Sequence, residues 1–101
     1  MIVVRFKVKC KPEKTEQAMA LFKEIVAASQ PLDGAVSFDI GRDITDPDSF
    51  IALEVFEDRV ALDRQESLAV VKKTMGLFEE LLAAEPEATI YEVSSPERQG
   101  E

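Results

Sequence analysis

The chain has 101 residues, 46% hydrophobic and 32% charged, with a net charge of −8. That length bounds it to one domain, and the hydrophobic share supports a single modest core and argues against disorder. The acidic balance excludes a nucleic-acid surface, which needs clustered cations to displace phosphate counterions. No apolar run approaches the ~20 residues of a membrane helix, so no membrane partner is expected. The apolar Ile2-Val3-Val4 precedes the first charges, the reverse of a signal peptide, and the expected location is the cytoplasm. There is one cysteine, Cys10, and no histidine. An intramolecular disulfide is therefore excluded, and the commonest metal ligand, haem ligand and neutral-pH base are missing.

In chain order, Val4, Phe6 and Val8 alternate with Val3, Arg5, Lys7 and Lys9, which predicts a first strand over Ile2 to Cys10. The three cations fall on one side of it and read as a solvated strand end. Pro12 suits the first turn of a helix. Ala18, Leu21, Phe22, Ile25 and Val26 continue at helical spacing, so a helix is predicted from about Glu13 to Ser29, where Gln30-Pro31 stops it. Asp33-Gly34 signals a turn before a second strand carrying Val36, Phe38 and Ile40. The turn-formers of Asp43 to Ser49, with Asp46-Pro47-Asp48 at their centre, predict a hairpin loop.

The third strand is predicted over Phe50 to Glu57. Phe50, Ala52, Glu54 and Phe56 point to one side of it; Ile51, Leu53 and Val55 point to the other. Asp58 can cap a short helix from Arg59 to about Glu66. Ser67 can cap a longer one bearing Val71, Thr74, Met75, Phe78, Leu81 and Leu82, in which Gly76 allows close packing. Glu85-Pro86 ends that helix. A fourth strand follows through Ala88, Ile90 and Val93, around Tyr91. Residues 1–93 thus form the single domain, and 94–101 form a polar tail.

The order β-α-β-β-α-β predicts an α+β, ferredoxin-like domain: a four-stranded antiparallel sheet with strands one and three central and helices on one face. The other face also carries apolar side chains. Burying Ile51, Leu53 and Val55 alone is worth roughly 5 kcal/mol. A second copy of the sheet is the simplest cover, so a two-fold homodimer through the sheet face is expected.

Four features resemble the antibiotic biosynthesis monooxygenase family of dimeric α+β barrels, which includes quinol monooxygenases. The first strand leads through Lys11-Pro12 into a helix. Asp33-Gly34-Ala35-Val36-Ser37-Phe38 stands where the family has P-G-x-x-x-Y. Arg42-Asp43 precedes Asp46-Pro47-Asp48-Ser49-Phe50, and Glu54-Val55-Phe56-Glu57-Asp58 precedes Ala61-Leu62-Asp63. The likeness spans Met1 to about Val93. It also has departures: a frequent family tryptophan falls on Phe56, a frequent histidine on Gln65, and the S-P-H-F that often follows reads Ser67-Leu68-Ala69-Val70-Val71. The missing histidines speak against the haem-degrading branch.

The resemblance implies a cofactor-independent oxygenase acting on a small aromatic or quinol-type substrate, with no metal and no bound cofactor. The alternatives are a non-catalytic dimeric binding module for a small apolar ligand, and an isomerase or decarboxylase on the same scaffold. The catalytic candidates are Glu54, a base if desolvated by Phe50 and Phe56, and Gln65, a hydrogen-bonding group. Phe22, Phe56, Phe78 and Tyr91 are the substrate-binding candidates. Against these stand plainer roles: Glu54 paired with Arg42 or Arg64, Gln65 exposed on its helix, the phenylalanines as core packing, and Tyr91 as an edge residue. Cys10 lacks an activating partner and reads as inert. Asp43, Asp46 and Asp48 lack the spacing of a calcium loop.

Overall fold

A computed structural model describes residues 1–94 and Glu97; the polar tail expected over 94–101 otherwise lies outside the described residues. The elements are β1 (Ile2–Lys9), a 3-10 turn (Pro12–Lys14), α1 (Thr15–Ser29), β2 (Ala35–Asp43) and β3 (Asp46–Phe56). They are followed by α2 (Arg59–Glu66), α3 (Ala69–Gly76), α4 (Phe78–Leu81) and β4 (Glu87–Glu92). The sheet order is β2-β3-β1-β4, with every neighbouring pair antiparallel. This is the ferredoxin-like arrangement, with β1 and β3 in the centre as the patterning predicts.

Local chemistry sets the boundaries. Pro12 opens the 3-10 turn, where its missing N–H costs nothing. The Asp58 carboxylate accepts the Ala61 N–H at 2.9 Å and caps α2. Gly34 turns the chain into β2 at φ 86°, a left-handed conformation that favours glycine.

Two boundaries differ from the sequence reading. The expected Asp43–Ser49 loop shrinks to Ile44-Thr45. Asp43 Oδ1 accepts from both Thr45 N and Thr45 Oγ1, at 2.8 and 2.7 Å. Asp46 accepts from Asp48 N and Ser49 Oγ. Arg42 pairs with Phe50 but Asp43 pairs with Asp46, so the residues between, Pro47 included, belong to an irregular bulged stretch of β3 that tolerates proline. Asp43 thus stabilises the short turn, and Asp46 the bulge that follows it.

The long helix expected after Ser67 is two helices. Ser67 does not cap α3; its hydroxyl donates to the Asp63 carbonyl at 2.7 Å and closes the end of α2. Leu68 stands at the start of α3, and Leu77 separates α3 from α4. The Thr74 hydroxyl donates to the Val70 carbonyl at 2.7 Å, a back-bond that perturbs helices. Gly76 serves no close packing either, since a Cβ there meets nothing within 4 Å.

The core lies between the sheet and the helices and includes Val8, Cys10, Leu21, Phe50, Phe56 and Leu81. Burial, ahead of the neighbouring Asp48 charge, raises the Cys10 thiol pKa, while Arg42 works the other way. On the opposite sheet face, Leu53 is 50% and Tyr91 49% exposed, with Ile51 and Val55 half-buried beside them. Lys7 and Lys9 mark the polar end of that face, paired with Asp43 and Asp46 at 3.5 and 3.2 Å.

The two glycines give opposite expectations. In Gly34→Ala, the new Cβ meets the Ala61 Cβ at 2.6 Å at a positive φ, and urea denaturation is expected to show a loss of about 2 kcal/mol or more. Gly76→Ala gains helix propensity without a clash and is expected to stabilise by up to about 1 kcal/mol.

Candidate functional site

A cavity of about 310 Å³ lies between the helices and the sheet. Its floor is two consecutive rungs of the sheet. One runs Ile90–Val4–Glu54–Phe38 across β4, β1, β3 and β2, and the next runs Ala88–Phe6–Ala52–Ile40. All eight residues line the cavity. Strand pairing places them side by side, and alternation turns them all toward the helices. Ala52 and Ala88 leave volume that larger side chains would fill. Phe22 and Ile25 of α1, Leu62 of α2, Val71 of α3 and Phe78 of α4 close the space from above. Met75 and Ile90, half-exposed, mark the open side between α3 and β4. Phe78 stacks on Phe6 with ring centroids 6.1 Å apart.

Glu54 is the charged group of this floor. It is 9% exposed, and its carboxyl is pushed up to about 7 from an ordinary 4.5, by burial first and by the neighbouring Glu66 second. Among the described residues no lysine or arginine lines the cavity. The arginines considered as partners are engaged elsewhere. Arg42 Nη2 lies 3.7 Å from Glu16 Oε1 and its guanidinium lies over the Phe50 ring. Arg64 donates to the Asp33 carbonyl. Among the described residues Glu54 therefore has no ion-pair partner, and it lines the cavity.

Gln65 also lines the cavity. It is 4% exposed, not the exposed helix residue of the plainer alternative, and its amide Nε2 donates to Ser29 Oγ at 3.1 Å. That bond fixes the side chain and commits one of its two N–H donors. Phe22 and Phe78 line the cavity as expected from the sequence. Two candidates do not. Phe56 lies on the same side of β3 as Glu54 but is 0% exposed and packed in the core, outside the cavity lining. Tyr91 projects from the opposite sheet face, because it follows Ile90 and strand neighbours alternate.

Sequence reading missed Glu66, Thr74, Phe6 and Phe38. Glu66 was one helical residue from Gln65. Phe6 and Phe38 carried a signal only through register, since each shares a rung with Ala52 or Glu54. The Thr74 hydroxyl is spent on its own helix. The aspartates weighed as calcium ligands have local roles: Asp48 accepts from Thr15 Oγ1 at 2.8 Å, Asp43 holds the turn through Thr45 and Asp46 holds the bulge. Among the described residues no group of three or more cysteine, aspartate or glutamate side chains is placed to hold a metal.

The architecture is thus a ferredoxin-like α+β domain with an aromatic-lined cavity under its helices. The chain belongs to the antibiotic biosynthesis monooxygenase family, whose model matches residues 1–77. It is similar to sll1783, an uncharacterised protein of Synechocystis sp., at 31% identity over 93 residues. That match covers 92% of this chain and 63% of the Synechocystis protein, so the chain spans less than two thirds of that relative's length. It is also 27% identical to YcnE of Bacillus subtilis, provisionally named a monooxygenase, over 93% of this chain and 99% of that protein. A crystal structure from Deinococcus radiodurans matches the fold with a TM-score of 0.88 at 18% identity, over 100% of both chains. No helix among the described residues is long and apolar enough to cross a membrane.

The raised pKa of Glu54 fixes a stability slope. Between pH 4.5 and about 7 the unfolded chain loses this proton while the folded chain keeps it, so stability falls as pH rises through that window and then levels off. The full shift corresponds to about 3 kcal/mol. Asp43 and Asp46, whose pKa values are lowered mainly by hydrogen bonds from Thr45 and Ser49, act instead below pH 4. Urea denaturation from pH 4.5 to 8 is expected to show the fall in the wild type, and Glu54→Gln to remove most of it.

Proposed function

We propose that the protein is a cofactor-independent monooxygenase acting on a small hydroxyaromatic or quinol-type substrate in the cavity under its helices. The observation that carries this reading is Glu54: a buried carboxyl with no cationic partner among the described residues, aimed into an aromatic-lined cavity and titrating near neutral pH. A carboxylate of that kind is a competent general base. Family membership and the name of the Bacillus relative point to the same chemistry.

In the proposed reaction Glu54 takes a proton from the substrate. The resulting anion, electron-rich and desolvated, passes one electron to O₂, and recombination of the radical pair forms a C–O bond. The peroxide anion takes the proton from Glu54. Loss of water then breaks the O–O bond and leaves a carbonyl where a CH₂ or ring C–H had been. One oxygen atom ends in the product and the other in water. Gln65, held by Ser29, presents its amide oxygen to a substrate hydroxyl, and Phe22 and Phe78 pack against the ring.

The same reading makes the protein a cytoplasmic homodimer. The exposed Leu53 and Tyr91, flanked by Val3, Ile51 and Val55, form the apolar face that a second copy covers. Charge placed at its centre opposes that burial, so Leu53→Lys is expected to sediment as a monomer where the wild type sediments as a dimer. A ligand-binding module without turnover is the competing reading, favoured by how few polar groups line the cavity.

Oxygen consumption with a panel of quinols and anthrones separates the two. The wild type is expected to consume O₂ with one member of the panel, with a rate rising through a pKa near neutrality. Glu54→Gln is expected to lower kcat by about a hundredfold or more. Ligand binding without oxygen consumption would instead identify the binding module.

A further inference from the structure

We propose that the cavity selects aromatic ligands carrying a protonated amine, ahead of neutral and anionic ligands of the same size. The proposal rests on the cavity being the ligand site, as in the preceding reading, and holds with or without turnover. Its basis is the charge balance of the lining. Glu54 stands on the floor and the exposed Glu66 at the rim, with no lysine or arginine among the described residues that form the walls. Of the other polar side chains, Thr74 donates its hydroxyl to Val70 and Gln65 its amide to Ser29. An anionic ligand finds no countercharge here and two carboxylates opposing it. A neutral ligand fills the space but supplies neither carboxylate with a countercharge.

An organic ammonium ion changes the electrostatics of the whole site. It supplies the cation that Glu54 lacks, and a buried carboxylate gains most from a partner where water is excluded. The rings of Phe6, Phe22, Phe38 and Phe78 in the lining add packing for an aromatic ligand and attraction for a cation. Glu66, at the solvent edge, lets the ammonium keep part of its hydration while it lies between two negative groups. The cavity volume of about 310 Å³ accommodates one substituted ring of this kind.

Binding also moves a proton, with a sign that depends on the ligand. A cation beside Glu54 favours its ionised form, so near pH 6.5, where the group is partly protonated, binding releases protons. A neutral ligand only removes more water from the carboxyl, so binding takes protons up.

The test is titration calorimetry of the full chain with 2-phenylethylamine, 2-phenylethanol and 3-phenylpropanoate, at pH 8 and at pH 6.5 in two buffers of different ionisation enthalpy. The amine is expected to bind at least about tenfold tighter than the alcohol, with the carboxylate weakest. Proton release is expected with the amine and uptake with the alcohol. Glu54→Gln, and separately Glu66→Gln at the exposed rim, are expected to reduce the amine's advantage over the alcohol, and Glu54→Gln to abolish the proton uptake seen with the alcohol. Alcohol binding equal to or tighter than amine binding would overturn the proposal, as would an amine advantage untouched by both substitutions; in either case the cavity remains a ligand site. If none of the three ligands binds, the reading of the cavity as a ligand site fails and the proposal fails with it.

Discussion

The constraint on which the rest depends is a carboxyl group on the wrong side of a sheet. Glu54 lies on the helix-facing side of a central strand, between Val4 and Phe38 on its rung, at a position where an apolar residue would add to the core. Removing a charge from water is costly unless a partner compensates, and none does among the described residues. The group answers by holding its proton to about pH 7. Stability is therefore given up at the same position that supplies proton-transfer capacity, a pattern expected of functional sites and not of structural ones.

The surrounding fold explains how that group meets open space instead of packed side chains. The ferredoxin-like order places β1 and β3 in the centre, and the two rungs of the floor bring residues of all four strands together. Two alanines, Ala52 and Ala88, share a rung with Phe6 and Ile40, so the floor dips beside Glu54. Above it the helical cover is broken into α2, α3 and α4, and the breaks at Leu68 and Leu77 let it bend around the space. Gln65 reaches the cavity because its amide is anchored to Ser29 of α1. One hydrogen bond thus ties two roof elements together and orients a polar group at the site.

Much of this was legible in the sequence, for reasons that can be named. The alternation of Phe50, Ala52, Glu54 and Phe56 against Ile51, Leu53 and Val55 announced a strand with two apolar faces, and placed Glu54 toward the helices. Asp58 announced its cap. Helical spacing set Phe22 and Phe78 on inward faces. What failed were properties set by tertiary context. Phe56 shares Glu54's side of β3, but only the packing around it decides that it is core and not cavity wall. Tyr91 is one residue from the lining Ile90, and that single step turns it to the opposite face. Asp46-Pro47-Asp48 reads as a loop, because side-chain capping of a bulge uses the same residues as side-chain capping of a turn. Phe6 and Phe38 belong to the site only through strand register, which the patterning of one strand does not contain.

The account is tested most directly by the titration of Glu54 itself. In protein labelled with ¹³C at glutamate side chains, the carboxyl resonance that disappears in Glu54→Gln belongs to this residue. Followed from pH 3 to pH 9, it is expected to titrate with a midpoint near 7, well above the ordinary value of 4.5. A midpoint at or below 4.5 would mean that the carboxylate has found water or a cation, and the cavity would then lack the base on which the proposed chemistry rests.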